Sequence, residues 1–430
     1  MGLVGQAGFV LLLIAGLSRP VPLALPAVSG GQLSFDEALR DLKSTSTSTR
    51  VRAVQRLQEL ASAEAALPIA PLLNDPKDEV QAAAIAAEMN IFLAEPVVPR
   101  RRVGFVVEVR NSVPAETAFT EGPFALGTRP VPPEVLTALR LAARDDDPRV
   151  ALEALYAFGT LAALPSGDAR RELLRATGPE IAPLIGASDP AQRYAAARVI
   201  GHVFAKRPQD EPIDEPVGDA LITALNDEDR AVKAAAMQAL GRMRYERSVQ
   251  ALADLYAYYG TSESAEAALD ALARIAHPSS VETFVAALSG KNSTLRLLAI
   301  EGLARSGDAG RLPAIHAAVD ADKNEAVALA GLYASARLAN ERIDRIADAL
   351  TKSRLRLQAR QYLLELLPGR AASVTSQLQD PDPRLRQDVV ELLGVSGDSA
   401  ALPLVEPLLK DREPQVARAA ERAVARLRNR

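Results

Sequence analysis

The chain has 430 residues, 48% of them apolar and 24% charged, which allows two or three domains and excludes both a disordered chain and a multispan membrane protein. It holds no Cys, no Trp, three His and only 4% aromatics, so disulfides, thiolate nucleophiles and cysteine metal sites are excluded, and multi-His metal chemistry nearly so. A net charge of −4 argues against a general nucleic-acid binder.

Residues 8–17 form a ten-residue apolar run, GFVLLLIAGL. It is too short to cross a bilayer, which needs about 20 residues. It suits the apolar centre of a secretory signal, with Ala27-Val28-Ser29 as a small-x-small cleavage site before Gly30. No Lys or Arg precedes the run, so the signal is weak. The expectation is a signal peptide at 1–29 and export to the periplasm or the outside of the cell; the alternative is an N-terminal membrane anchor. The absence of Cys excludes a lipoprotein.

From residue 30 onward one phrase recurs: a turn with Asp or Pro, an apolar residue, often a basic one, then a small pair, an apolar pair and often Gly. Clear copies start at Asp147-Pro148-Arg149-Val150, Asp229-Arg230-Ala231-Val232 and Asp382-Pro383-Arg384-Leu385. Anchoring on the first apolar residue places units at Val51, Val80, Val150, Gln192, Val232, Ser264, Leu295, Val327, Leu355, Leu385 and Val416. Most intervals are near 30 residues, the spacing of a stacked array. Within 232–243 the apolar positions are 232, 235, 236, 239, 240 and 243, one stripe of a helix. A second amphipathic segment precedes each phrase, so each unit reads as a helix hairpin that buries its stripe only by stacking on neighbours. The fold expected is all-α, an α-solenoid of about eleven stacked antiparallel helix pairs over 30–430. Ser44–Thr49 (STSTST) reads as a loop inside the first pair, and the Arg-rich end of the chain as a solvated cap.

Three stretches break the period. Residues 96–132 carry five Arg and three Glu and include the β-like run 103–109. They read as a non-helical insertion between the second and third units, either a binding element or an inert elaboration. An extra helical turn is expected around 170–176. Residues 208–229 hold eight acids and no base and read as a solvated loop.

The phrase resembles the HEAT-like repeat of the phycobilisome-lyase type, over about 34–428 and most specifically at 147–159, 229–243 and 382–394. The resemblance implies a second helix that lines a concave face where partners bind, and Asp–Arg pairs running from unit to unit. Basic residues follow six anchors, at Arg52, Arg193, Lys233, Arg296, Arg356 and Arg386, with turn acids Asp75, Asp189, Asp229 and Asp382 nearby. Some members of the type are bilin lyases, but nothing here specifies a bilin pocket. Deoxyhypusine hydroxylase, a related repeat family, binds iron through His-Glu dipeptides, whereas His202, His277 and His316 precede Val, Pro and Ala. No zinc, phosphate-loop or nucleophile-elbow motif occurs. No catalytic residue, metal ligand or cofactor is assigned.

Candidate partner-binding residues are Tyr156, Tyr194 and Arg198, which fall on second helices off the buried stripe, with Arg101 and Phe105 from the insertion. Tyr256, Tyr258 and Tyr259 end a first helix and are expected on the convex side. The function expected is a non-catalytic, monomeric protein-binding scaffold. The alternative is an accessory or lyase-like protein acting on a cofactor-bearing partner.

Overall fold

The computed structural model describes residues 33–93, 127, 129–162, 168–205 and 213–428. These fold as eleven consecutive helical units, each a first element followed by a longer second helix. The second helices are Thr47–Leu60, Asp78–Phe92, Pro148–Leu161, Pro190–Phe204, Arg230–Met243, Glu263–Ile275, Ser293–Ser306, Glu325–Leu338, Arg356–Leu366, Pro383–Ser396 and Pro414–Arg428, which we number as those of units 1 to 11. Among the described residues there is no extended strand. The all-α solenoid is therefore what the periodicity predicts.

The punctuation explains the helix starts. Asp147, Asp189, Asp229 and Asp382 each cap a second helix by accepting the backbone N–H two residues on. Pro148, Pro190 and Pro383 then occupy first-turn positions, where a missing N–H costs nothing. Pro71, Pro183 and Pro407 instead lie in the short 3-10 segments that end the first elements of units 2, 4 and 11.

Stacking is tightest between second helices. A Cβ added to Gly201 would lie 2.7 Å from the Ala239 Cα, and one on Gly241 would lie 2.7 Å from the Ala271 Cα. Gly394 meets Ala423 in the same way. First helices touch one another far less along the array. The second helices thus form the closer-packed layer of the array, which we term the inner layer.

The turn acids tie units together. The Arg193 guanidinium donates to both carboxylate oxygens of Asp227 at 2.7 and 2.9 Å, and Arg386 does so to Asp411 at 2.9 and 2.7 Å. Arg296 pairs with Asp322, and Arg50 with Asp75. Each of these acids also accepts an N–H from its own turn, two residues ahead. Asp227 thus lies two residues before the capping Asp229 of unit 5, and Asp411 two residues before Glu413, which precedes the second helix of unit 11. In unit 1 the ladder arginine is Arg50, not the exposed Arg52, so the first unit begins two residues earlier than its apolar anchor suggests. Arg356 reaches Asp388 on the next second helix instead of a turn acid.

Across the long interval the second helices of units 2 and 3 pack directly on each other. The Gly127 N–H bonds the Phe92 carbonyl at 2.8 Å, so the chain returns to the point it leaves. Arg129 donates to the Ala61 and Ile91 carbonyls and pins this return. The β-like run at 103–109, Arg101 and Phe105 lie outside the described residues. The longer fourth unit is explained by a 14-residue first helix, Asp168–Ile181. Much of the acidic stretch is helical, Glu215–Ala224. Asp219 there accepts the Tyr245 hydroxyl and faces Arg247, so its acids hold partners within the array.

Candidate functional site

On the inner layer the sixth residue after each anchor faces the same way, unit after unit. In units 3 to 8 this row reads Tyr156, Arg198, Gln238, Asp270, Glu301 and Tyr333. Its character changes along the array, and so does its exposure.

Across units 4 to 6 the row borders a groove of about 310 Å³. Tyr194 and Arg198 form one wall, Ala231, Ala234, Ala235 and Gln238 the floor, and Ala267 and Asp270 the other wall. The floor is low because the Ala residues that permit close helix approach leave no side chain above it. The Arg198 guanidinium stands 5.9 Å from the Tyr194 ring centroid, a cation–π distance that stiffens this wall. Opposite, both Asp270 oxygens accept from Arg274 Nε, at 3.0 and 2.9 Å.

Tyr194 and Arg198 thus come together as the spacing implies. Tyr156 does not join them: it is 2% exposed and ranks among the largest buried side chains, whereas Tyr194 is half-buried and Arg198, itself only 7% exposed, still lines the groove. The sixth position is covered in unit 3, so lying off the apolar stripe did not guarantee access. Tyr258 is 82% exposed on the first helix of unit 6, edge-on to Tyr259 at 5.1 Å, away from the groove.

Beyond the groove the row becomes a buried polar network that repeat-by-repeat reading misses. Tyr333 and Tyr362 stack with centroids 4.3 Å apart. The Tyr362 hydroxyl donates to Glu301 at 2.5 Å and the Tyr333 hydroxyl to Glu365 at 2.6 Å. Between the acids lies Arg305, its side chain 4% exposed, donating to Glu301 at 3.0 Å and in a fork to Glu365 at 3.0 and 2.8 Å. Burial alone would raise the Glu365 carboxyl, but Arg305 and the Tyr333 hydroxyl hold it down at about 2. Burial pushes the Tyr362 hydroxyl well up, and Glu301 beside it adds to the shift. Desolvation works against the Arg305 charge, yet Glu301 and Glu365 keep it firmly protonated. The network is a satisfied structural set with no open position for a reactant.

Among the described residues no three His, Asp or Glu side chains gather where a metal ion could be held. No helix among them is long and apolar enough to cross a membrane.

Residues 178–259, which include most of the groove, match the family described as HEAT repeats. Over those residues the chain is similar to HEAT repeats, and the units on either side share the same helix-pair build. No curated protein matches it in sequence. Two engineered proteins solved by the Northeast Structural Genomics Consortium are similar in structure. One is 20% identical over 92% of this chain and 98% of its own, with a TM-score of 0.41. The other is 19% identical over 63% and 94%, with a TM-score of 0.35. A chain from a structure concerning a phosphorylation switch between cadherin and beta-catenin is 14% identical over 92% and 94%, with a TM-score of 0.41.

Proposed function

We propose that the protein is a non-catalytic scaffold that binds a segment of a protein partner along the inner face of units 4 to 6. The observation that carries this reading is the groove, where an aromatic–arginine wall and an acidic wall flank an alanine floor. Tyr and Arg bring much contact area and directed hydrogen bonding, which is why they anchor interfaces. HEAT-like repeats commonly serve as protein-binding scaffolds, and the match lies over this part of the chain. The apolar run at 8–17 supports action after export, with the mature chain beginning at Gly30 and working as a monomer without nucleic acid.

The test is capture of a partner by the mature chain, followed by affinity measurements on single variants. Ala234→Arg fills the floor and should abolish binding. Tyr194→Ala should weaken it by about 1–2 kcal/mol, the loss of one interface anchor. Tyr258→Ala should leave it unchanged. Full affinity in both groove variants, with loss in Tyr258→Ala, would place the site on the outer face.

A further inference from the structure

Units of a stacked array ordinarily contact only their neighbours. The network around Arg305 breaks that rule. Glu301 and Arg305 belong to unit 7, while Tyr362 and Glu365 belong to unit 9, 60 or 61 residues later. Unit 8 contributes Tyr333, which is stacked on Tyr362 and bonded to Glu365.

The surroundings show why such a bridge matters there. The second helices of units 8, 9 and 10 pack on one another far more thinly than those of units 4 to 7 or of units 10 and 11. The first helix of unit 9 is only Ile343–Asp348, and unit 10 opens with two 3-10 turns, Ala371–Val374 and Gln377–Gln379. The link into unit 9 passes through Asn340 and Arg342, both in the left-handed region at φ of 59° and 62°. Polar ties also cross the joint, beside buried apolar residues such as Ile343 and Ile346: Gln358 donates to the Ala326 carbonyl, Arg370 to the Ala336 carbonyl, and Lys352 pairs with Glu325.

We propose that the thinly packed run of units 8 to 10 is a hinge in the array, which the Arg305–Glu301–Glu365–Tyr362 cluster latches across unit 8. Apolar residues pack across this joint as they do elsewhere, but its second helices stack thinly, so directed hydrogen bonds carry a larger share of its angle. Such bonds have discrete geometry, so the joint has a closed arrangement that is lost as a set when one member is removed. This inference does not depend on the groove or on any partner.

The experiment is hydrogen exchange by mass spectrometry on the full chain, with small-angle scattering beside it. Arg305→Gln should speed exchange at least tenfold in Ile343–Asp348 and Arg356–Leu366 and increase the radius of gyration, while Pro190–Phe204 and Arg230–Met243 keep their protection. Tyr362→Phe removes one hydroxyl and keeps the ring, so it tests the latch even if Arg305→Gln fails to fold. It should show the same regional pattern, more weakly. Unchanged exchange in Tyr362→Phe, or equal loss of protection along the whole array, would overturn the latch.

Discussion

Replacing Gly201 by Val should cost about 3 kcal/mol of stability, at the upper end of what overpacking a core produces. The reason lies in what the new side chain meets. Its Cβ would stand 2.7 Å from the Ala239 Cα and 2.9 Å from the Ala239 Cβ. A flexible side chain can yield, but a Cα yields only if its helix moves. Separating the second helices of units 4 and 5 would open the tightest layer of the array and deform the groove floor at Ala234 and Ala235. Gly186→Ala is the matched control, since nothing lies within 4 Å of the Cβ it would add. Denaturant unfolding followed by circular dichroism should show a lower midpoint for Gly201→Val and little change for Gly186→Ala. Equal midpoints for Gly201→Val and the native chain would show that the inner layer is not close-packed there.

Glu88→Met should stabilise the protein, and more so as the pH rises. Glu88 is fully buried on the second helix of unit 2, at the eighth place after its anchor, where unit 3 has Phe158. Among the described residues neither of its carboxyl oxygens has a hydrogen-bond partner. Burial pushes its carboxyl well above the ordinary carboxylate range, so the folded protein keeps the group neutral. In the unfolded chain it ionises above about pH 4.3. Between those two values the unfolded state holds fewer protons, and stability falls by up to about 1.4 kcal/mol per pH unit. A Met of similar length removes this slope, and a gain of about 1–4 kcal/mol near pH 8 is expected, as when other buried charges are replaced by apolar groups. Stability measured at pH 4 and pH 8 checks the sign: the gain should shrink at pH 4. A gain independent of pH would mean that Glu88 is already ionised in the fold.

The helix pairs were legible because an apolar stripe recurs in each unit and, in units 3, 4 and 10, coincides with a capping Asp and a first-turn Pro. Where these flanking signals are missing, placement can slip. In unit 1, Val51 is apolar but the ladder belongs to Arg50, and only the contact with Asp75 reveals the register. Half of the groove was legible as well. Tyr194 and Arg198 stood out as large side chains off the stripe, yet the same criterion selected Tyr156, which the fold buries. Exposure depends on what neighbouring units stack against, and a single unit's periodicity does not carry that. The Arg305 network was missed for a related reason. Its members lie about 60 residues apart, beyond the neighbour-only contacts a repeat implies. One signal was present: Asp270 and Glu301 at sixth positions precede Arg274 and Arg305 by four residues, a spacing that pairs charges on one helix face.

The most direct test of the inner-face reading is site-specific photo-crosslinking. A photoreactive residue placed singly at positions 234, 267 and 258 of the chain would sample the groove floor, its far wall and the exposed first helix of unit 6. Irradiation in an extract from the protein's own source should give one discrete adduct at 234 and 267, weakened by Tyr194→Ala, and none at 258. An adduct at 258 with none at 234 or 267 would contradict the account and move the binding surface to the first helices.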